Sequence, residues 1–406
     1  MFFKIAVRNI RAYKKRSIIT VILLACTTAL LVFATAYMDG SHERMIRSSV
    51  EIYPGYVQIT HRDFRDSPSL ENLIFDAGQV TAALADLPGI AVLTPRYESF
   101  VLFAAGNKAV GGMLTGIDPA KEGRVSRLWE SRKQGEYLEE TDSALVYMGS
   151  ELARRLKVGV NDEVAFVGTG ADYSFSADTL RVKGIFRTGL FDFDNRAAFV
   201  AKSYLDRVMG AENYATHFIV LPARPEEAAE LAAAIGERLG PEYEAASWRQ
   251  TMAGLVQAMR VDTIFGYITL GIIFIVIFFV VMIYTMLAVS ARLREIGILR
   301  AVGTEPGQVW RMLVMESVLL ALVSVVAGGL IGGSLAYYFK LHPIVFSGFE
   351  EQFKQYGLAM TDMPTAFAPL VIVRDMALMF VLSVAATLYP IHKVNGYRPI
   401  EAMHHV

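Results

Sequence analysis

Uncharged runs set the frame of this chain. Residues 17–38, 264–289 and 317–339 contain no Asp, Glu, Lys or Arg, and each reaches the ~20 apolar residues with which a helix crosses a bilayer. A fourth apolar run, 376–391, is shorter and recruits flanking residues to span. The pattern therefore predicts four transmembrane helices, at 17–38, 264–289, 312–340 and 376–391. Between the first two lie residues 39–262, where short alternating runs predict strands near 56–60, 91–93, 100–104, 110–115, 163–167, 180–186 and 198–200. Helical patterns fall at 80–87, at 149–156 with Arg154 and Arg155 outward, and at 225–239. Strands mixed with helices predict an α+β fold for this large external domain. A second external loop, 341–375, precedes the fourth span, and Asp375 is placed to cap it.

The segment joining the second and third spans, 291–311, has a pattern of its own. Leu293, Ile296 and Ile298/Leu299 recur at helical spacing, with Arg292, Glu295 and Arg300 between them. Gly303 is placed to end that helix. Thr304 can cap the next one, with Glu305 and Pro306 in its first turn. Arg292, Arg294, Arg300 and Arg311 put the segment on the cytoplasmic side. Two readings are open from pattern alone: an ordinary loop, or an amphipathic helix that docks on a cytosolic partner. In the third span Gly328, Gly329, Gly332 and Gly333 form two overlapping G-x-x-x-G pairs on adjacent faces. Such glycines let a second helix approach closely, either within the chain or across a dimer.

Charge sharpens this topology. Segments 1–17, 291–311 and 391–406 together carry 12 basic and 3 acidic residues, leaving 27 basic and 37 acidic elsewhere among the chain's 39 and 40. An acidic exterior argues against nucleic acid as a partner. The first 16 residues read as a helix with Lys4, Arg8, Arg11 and Lys15 on one stripe and Phe3 and Ile10 off it. It suits the inner membrane surface and its lipid headgroups, or serves simply as a basic start that fixes topology. Ala34-Thr35-Ala36 resembles a signal cleavage site, but the apolar run before it is long for a signal and the first span is read as retained. Both termini, 1–16 and the tail 392–406, are expected in the cytoplasm. The only cysteine, Cys26, lies in an apolar run, so no intramolecular disulfide can form.

The run R-E-I-G-I-L-R-A-V-G, at 294–303, is followed by M-E-S-V-L-L-A-L-V-S-V-V-A-G-G-L-I-G-G. Together they resemble the core of the FtsX-like permease family, which includes the MacB-type exporter permeases and the lipoprotein-releasing LolC/LolE-type permeases. Several external pieces resemble the same family in order along the chain: G-Y-V-Q-I at 55–59, G-I-D-P at 116–119, G-E-Y-L at 135–138, G-S-E-L-A-R-R-L-K-V-G-V-N-D-E-V from 149, and V-K-G-I-F-R-T-G-L-F-D-F-D from 182. The tail Y-P-I-H-K-V-N-G-Y-R-P-I-E-A-M resembles the family's ending, with a sparser basic run than usual. The Gly55 and Asp118-Pro119 pieces, with M-D-G after the first span, lean to the lipoprotein-releasing branch.

The resemblance implies an ABC transporter permease in the bacterial inner membrane. Its external domain would hold a porter-like βαβ unit and a β-rich insert near 105–200. The cytoplasmic hinge would be a coupling helix seated in an ABC ATPase dimer, and a second permease copy or a related permease would complete the membrane unit. Arg292, Glu295, Ile296, Gly297, Leu299, Arg300, Ala301 and Gly303 are the expected coupling residues, with Ile296 and Leu299 as the apolar plug and Glu295 and Arg300 as polar contacts. Mechanotransmission would release lipoprotein cargo to a periplasmic carrier. The alternatives are a MacB-like drug, toxin or peptide exporter, or a membrane-tethered receptor or scaffold without an ATPase.

An enzyme reading finds no support in the motifs. There is no G-x-x-x-x-G-K-[ST] loop, and the cytoplasmic segments are too short for a nucleotide-binding domain. No cofactor is expected in this chain, and ATP with magnesium belongs to the partner. No catalytic or metal site is expected either. His42-Glu43-Arg44-Met45-Ile46 has isoleucine where a zinc protease needs its second histidine. His61-Arg62-Asp63 has no other kinase signature beside it. Asp192 and Asp194 do not complete a calcium loop and read as a solvated turn. Glu316, near a membrane edge, reads as an interfacial residue or as a proton relay.

Overall fold

The computed structural model describes residues 2–345 and 362–395. The chain divides into two compact units: Met1–Glu43 with Met259–Val345 and Asp362–Val406, and a second built on Arg44–Ala258.

The first unit is a helical bundle. Its elements are α1 (Phe2–Ala12) and most of α2 (Lys14–Val50), then, after the second unit's elements, most of α10 (Ala253–Ser290), α11 (Leu293–Ala301), α12 (Pro306–Leu341) and α13 (Pro369–Asn395). Four of these, α2, α10, α12 and α13, are long and apolar enough to cross a membrane. Helices satisfy every backbone group internally, which the hydrocarbon demands. The N-terminal helix is shorter than the 1–16 expected, because the chain turns at Tyr13 and Lys14–Arg16 already belong to α2. α13 begins earlier than 376, at Pro369, a residue suited to a helix's first turn. Asp375 is therefore not its cap. It lies inside the helix, buried, where it accepts from the Thr35 hydroxyl of α2 at 2.5 Å and from Arg374 at 3.0 Å.

The four glycines of α12 are used within the chain. A Cβ on Gly328 would lie 2.5 Å from the Ala25 carbonyl, and one on Gly332 would lie 2.8 Å from that of Ala29, both on α2. On the adjacent face, a Cβ on Gly329 would strike Met376 of α13, and Gly333 faces Ile372. Gly328 and Gly332 thus seat α2 against α12 by close backbone approach, while Gly329 and Gly333 leave room for the Met376 and Ile372 side chains of α13.

The second unit holds β1 (Val57–His61), α3 (Ala77–Leu84), β2 (Ile90–Ala105), β3 (Lys108–Ile117), α4 (Pro119–Val125), β4 (Arg132–Gly135), β5 (Leu145–Gly149), α5 (Ser150–Leu156), β6 (Glu163–Thr169), β7 (Phe175–Phe186), α6 (Phe191–Asp194), β8 (Ala197–Ala201), α7 (Lys202–Met209), β9 (His217–Pro222), α8 (Ala228–Leu239), β10 (Tyr243–Ser247) and α9 (Trp248–Thr251). The strands expected at 91–93 and 100–104 are one strand, β2. Pro95 lies within it, where β2 has β9 on one side only and a missing N–H breaks no second ladder.

β2 joins two sheets. Its first half pairs with β9 in the order β10-β1-β9-β2, with Val80 and Leu84 of α3 and Leu231 and Ile235 of α8 in the core beneath. Its second half pairs with β3 and β6, and the ring β2-β3-β8-β5-β7-β6 closes back on β2 as a six-stranded barrel. Val101, Phe103, Leu114, Met148, Phe166 and Leu180 belong to its core.

At the crossing point the Arg96 guanidinium is fully buried. It donates to both Glu122 carboxylate oxygens, at 3.0 and 2.5 Å, and to the Tyr53 carbonyl at 2.7 Å, and it lies over the Tyr53 ring. Removing one partner of such a pair strands a desolvated charge. Glu122→Ala is expected to cost this unit roughly 3–5 kcal/mol, read as faster hydrogen exchange in α4 and β2 of the full-length protein. Arg96→Met with Glu122→Leu is expected to cost less.

Asp194 is also not the solvated residue the sequence predicts. It is buried and accepts from the Thr188 N–H, the Thr188 hydroxyl and the Gly189 N–H at 2.9, 2.7 and 3.1 Å, while Asp192 stays exposed. Among the described residues no cluster of acidic, histidine and cysteine side chains could hold a metal.

Candidate functional site: the hinge between α10 and α12

The hinge is a helix with two different faces. Leu293, Ile296 and Gly297, at i, i+3 and i+4, are buried. Leu293 and Ile296 pack with Val289 of α10, Val309 and Leu313 of α12 and Ile391 of α13. The chain leaves α11 through a Schellman motif: the Gly303 N–H donates to the Arg300 carbonyl and the Thr304 N–H to the Leu299 carbonyl, both at 3.1 Å. Gly303 has φ +105°, which a side chain would strain. Glu305, not Thr304, then occupies the cap position of α12, with Pro306 first in the helix.

With one face locked, the other is exposed among the described residues. Ile298, Leu299 and Val302 are 49, 42 and 83% exposed, beside the exposed Arg294, Glu295 and Ala301. Val302 lies at i+4 from Ile298 and at i+3 from Leu299, so it neighbours both. An exposed apolar patch rimmed by charge suits a protein or membrane contact.

Polar contacts pin the hinge to the bundle. Arg292 is buried, and its Nη1 donates to both Glu316 carboxylate oxygens of α12 at 3.0 Å. Its guanidinium carbon sits 3.8 Å from the centre of the Tyr13 ring, and the Tyr13 hydroxyl donates to Glu295. Beside the pair is a cavity of about 70 Å³, lined among others by Arg16, Thr20, Tyr284, Arg292, Glu316 and Thr387. The turn between α1 and α2, the hinge and α12 thus meet through one ion pair and one tyrosine.

The expected coupling residues separate accordingly. Glu295, Leu299 and Ala301 face outward, and Arg300 is half-buried. Ile296, expected in the plug, faces inward and holds the helix down; Gly297 is buried on the same side, and Arg292 turns to Glu316. Ile298 and Val302 take the outward apolar positions instead. The inward stripe at 293, 296 and 297 carries that information, since the residues opposite it must face out. The ending that runs through Glu401 includes residues 396–406, which lie outside those described.

Residues 267–399, which include this hinge, match the FtsX-like permease C-terminal family. The chain is 28% identical over 345 residues to the lipoprotein-releasing system transmembrane protein LolC of Xylella fastidiosa strain 9a5c, covering 80% of each chain. It is 23% identical over 425 residues to the protein of the same name from Neisseria meningitidis serogroup B, covering 98% of each. Among solved structures, the periplasmic region of MacB from Actinobacillus actinomycetemcomitans aligns at TM-score 0.36 with 15% identity, over 52% of this chain and 95% of that one. The part of the chain that runs from α10 to α13 thus carries an FtsX-like permease C-terminal domain.

Proposed function

We propose that this chain is the inner-membrane subunit through which a separate ABC ATPase drives the release of lipoproteins, with α11 as the coupling helix. The observation that carries the reading is the outward face of Ile298, Leu299 and Val302 on a helix whose other face is fully packed. ATP binding would move a partner seated on that face. The Arg292–Glu316 pair and the packing of Ile296 would pass the motion to α12, and the glycine seats at Gly328 and Gly332 would pass it on to α2. At 37 and 38 residues, α2 and α10 are longer than the ~20 residues that cross a bilayer and can carry motion beyond it. Such coupling requires contacts that differ between the nucleotide states. The relatives named LolC favour lipoprotein as cargo, and a second copy or a related permease completes the unit.

The test is reconstitution of this chain with its ATPase and any sister permease in liposomes holding a tagged lipoprotein. ATP and an acceptor chaperone should move the lipoprotein into the soluble fraction. ATP hydrolysis without release would move the cargo to drugs, toxins or peptides, and no ATPase association would leave a receptor.

A further inference from the structure

We propose that the elbow between α1 and α2 binds one anionic phospholipid, from the leaflet on the α11 side of the bilayer, with its acyl chain in a groove against α12 and its phosphate on Arg11 and Lys14. The elbow is built in place. The Tyr13 carbonyl accepts from the N–H groups of Arg16 and Ser17 at 3.1 Å, and the Ser17 hydroxyl donates to the Ile10 carbonyl at 3.1 Å. α1 is seated on α12 through Asn9, whose Nδ2 lies 3.9 Å from Met312 Sδ, and Ala6 of α1 is buried. The contact of Tyr13 with Glu295 places the elbow at the same end of the bundle as α11.

Between α1, α2 and α12 this leaves a groove of about 450 Å³ with walls that include Ile10, Ile18, Ile22, Leu319, Leu320 and Val323. Ile18, Ile22 and Val323 are each more than half exposed, so the groove needs an apolar occupant. The charged groups that line it are Arg11 and Lys14, with no carboxylate among the lining. Among the described residues neither cation is ion-paired. An apolar trough ending at two uncompensated cations matches one acyl chain and a net negative headgroup. A zwitterionic lipid brings its own cation and gains less from them. A helix from a second copy would fill the trough but leave both charges unanswered.

The experiment is native mass spectrometry of the full-length protein, stripped of lipid in detergent and offered equal phosphatidylglycerol and phosphatidylethanolamine with identical chains. The expected result is retention of one phosphatidylglycerol, favoured roughly tenfold or more, since each surface cation contributes a factor of about five. Arg11→Gln with Lys14→Gln should abolish the preference. Val323→Trp, which fills the groove and spares both cations, should reduce retention of either lipid. Lys340→Gln, at the other end of α12, should change nothing. Equal retention of the two lipids by the unaltered protein, or a preference that survives the double variant, would overturn the site. So would a lipid-free dimer that Val323→Trp breaks, since the groove would then belong to a second copy.

Discussion

Leu299→Asp and Val302→Asp should each weaken ATPase binding about thirtyfold or more and abolish ATP-driven release, while leaving the folded permease intact. Both side chains are exposed on the outward face of α11 and touch no core cluster. A carboxylate there leaves the bundle's packing unchanged, and surface changes of this kind stay within about 0.5 kcal/mol of neutral. Against a partner, each would bury an unpaired charge in an apolar contact, and a central apolar anchor contributes roughly 2 kcal/mol or more. Ile296→Asp is the contrast. It puts the same charge inside the hinge core beside Val309 and Leu313, so it should destabilise the bundle itself. Pull-down of the ATPase and thermal melting in detergent separate the two outcomes.

Glu316→Ala should cost the bundle roughly 3–5 kcal/mol and uncouple ATP hydrolysis from release. The substitution strands the buried Arg292 guanidinium, which has no other carboxylate at hydrogen-bond distance among the described residues. Arg292 also supports the Tyr13 ring, so the loss would loosen α11 from both α12 and the α1–α2 turn. Arg292→Met with Glu316→Leu should recover much of the stability, because apolar residues of similar size replace a buried pair at little cost. If the pair transmits motion, the double variant melts near the parent temperature yet releases less cargo per ATP. Full release by the stable double variant would confine the pair to a structural role. The measurements are a double-mutant cycle on melting and a release-to-hydrolysis ratio in liposomes.

What was legible in the sequence followed from local rules. The absence of charge marked four spanning helices, and Gly303 marked the end of α11 because the Schellman turn needs a positive φ there. What was not legible depends on partners distant in sequence. Ile296 and Leu299 look alike in a helical repeat, and only the approach of Val309 and Leu313 decides which of them is buried. Asp375 looked like a cap because it precedes an apolar run; Thr35, 340 residues away, gives it a place inside the helix. Arg96 and Glu122 carried no signal, since a buried ion pair reads in sequence as two ordinary surface charges.

The most direct measurement of the central claim is cysteine labelling across α11. On a Cys26→Ser background, Ile296→Cys, Ile298→Cys, Leu299→Cys and Val302→Cys are each probed with a maleimide, with and without the ATPase. The expected result is free labelling at 298, 299 and 302, protection of all three by bound ATPase, and little labelling at 296 in either state. Equal labelling of the three outward positions with and without bound ATPase would contradict it.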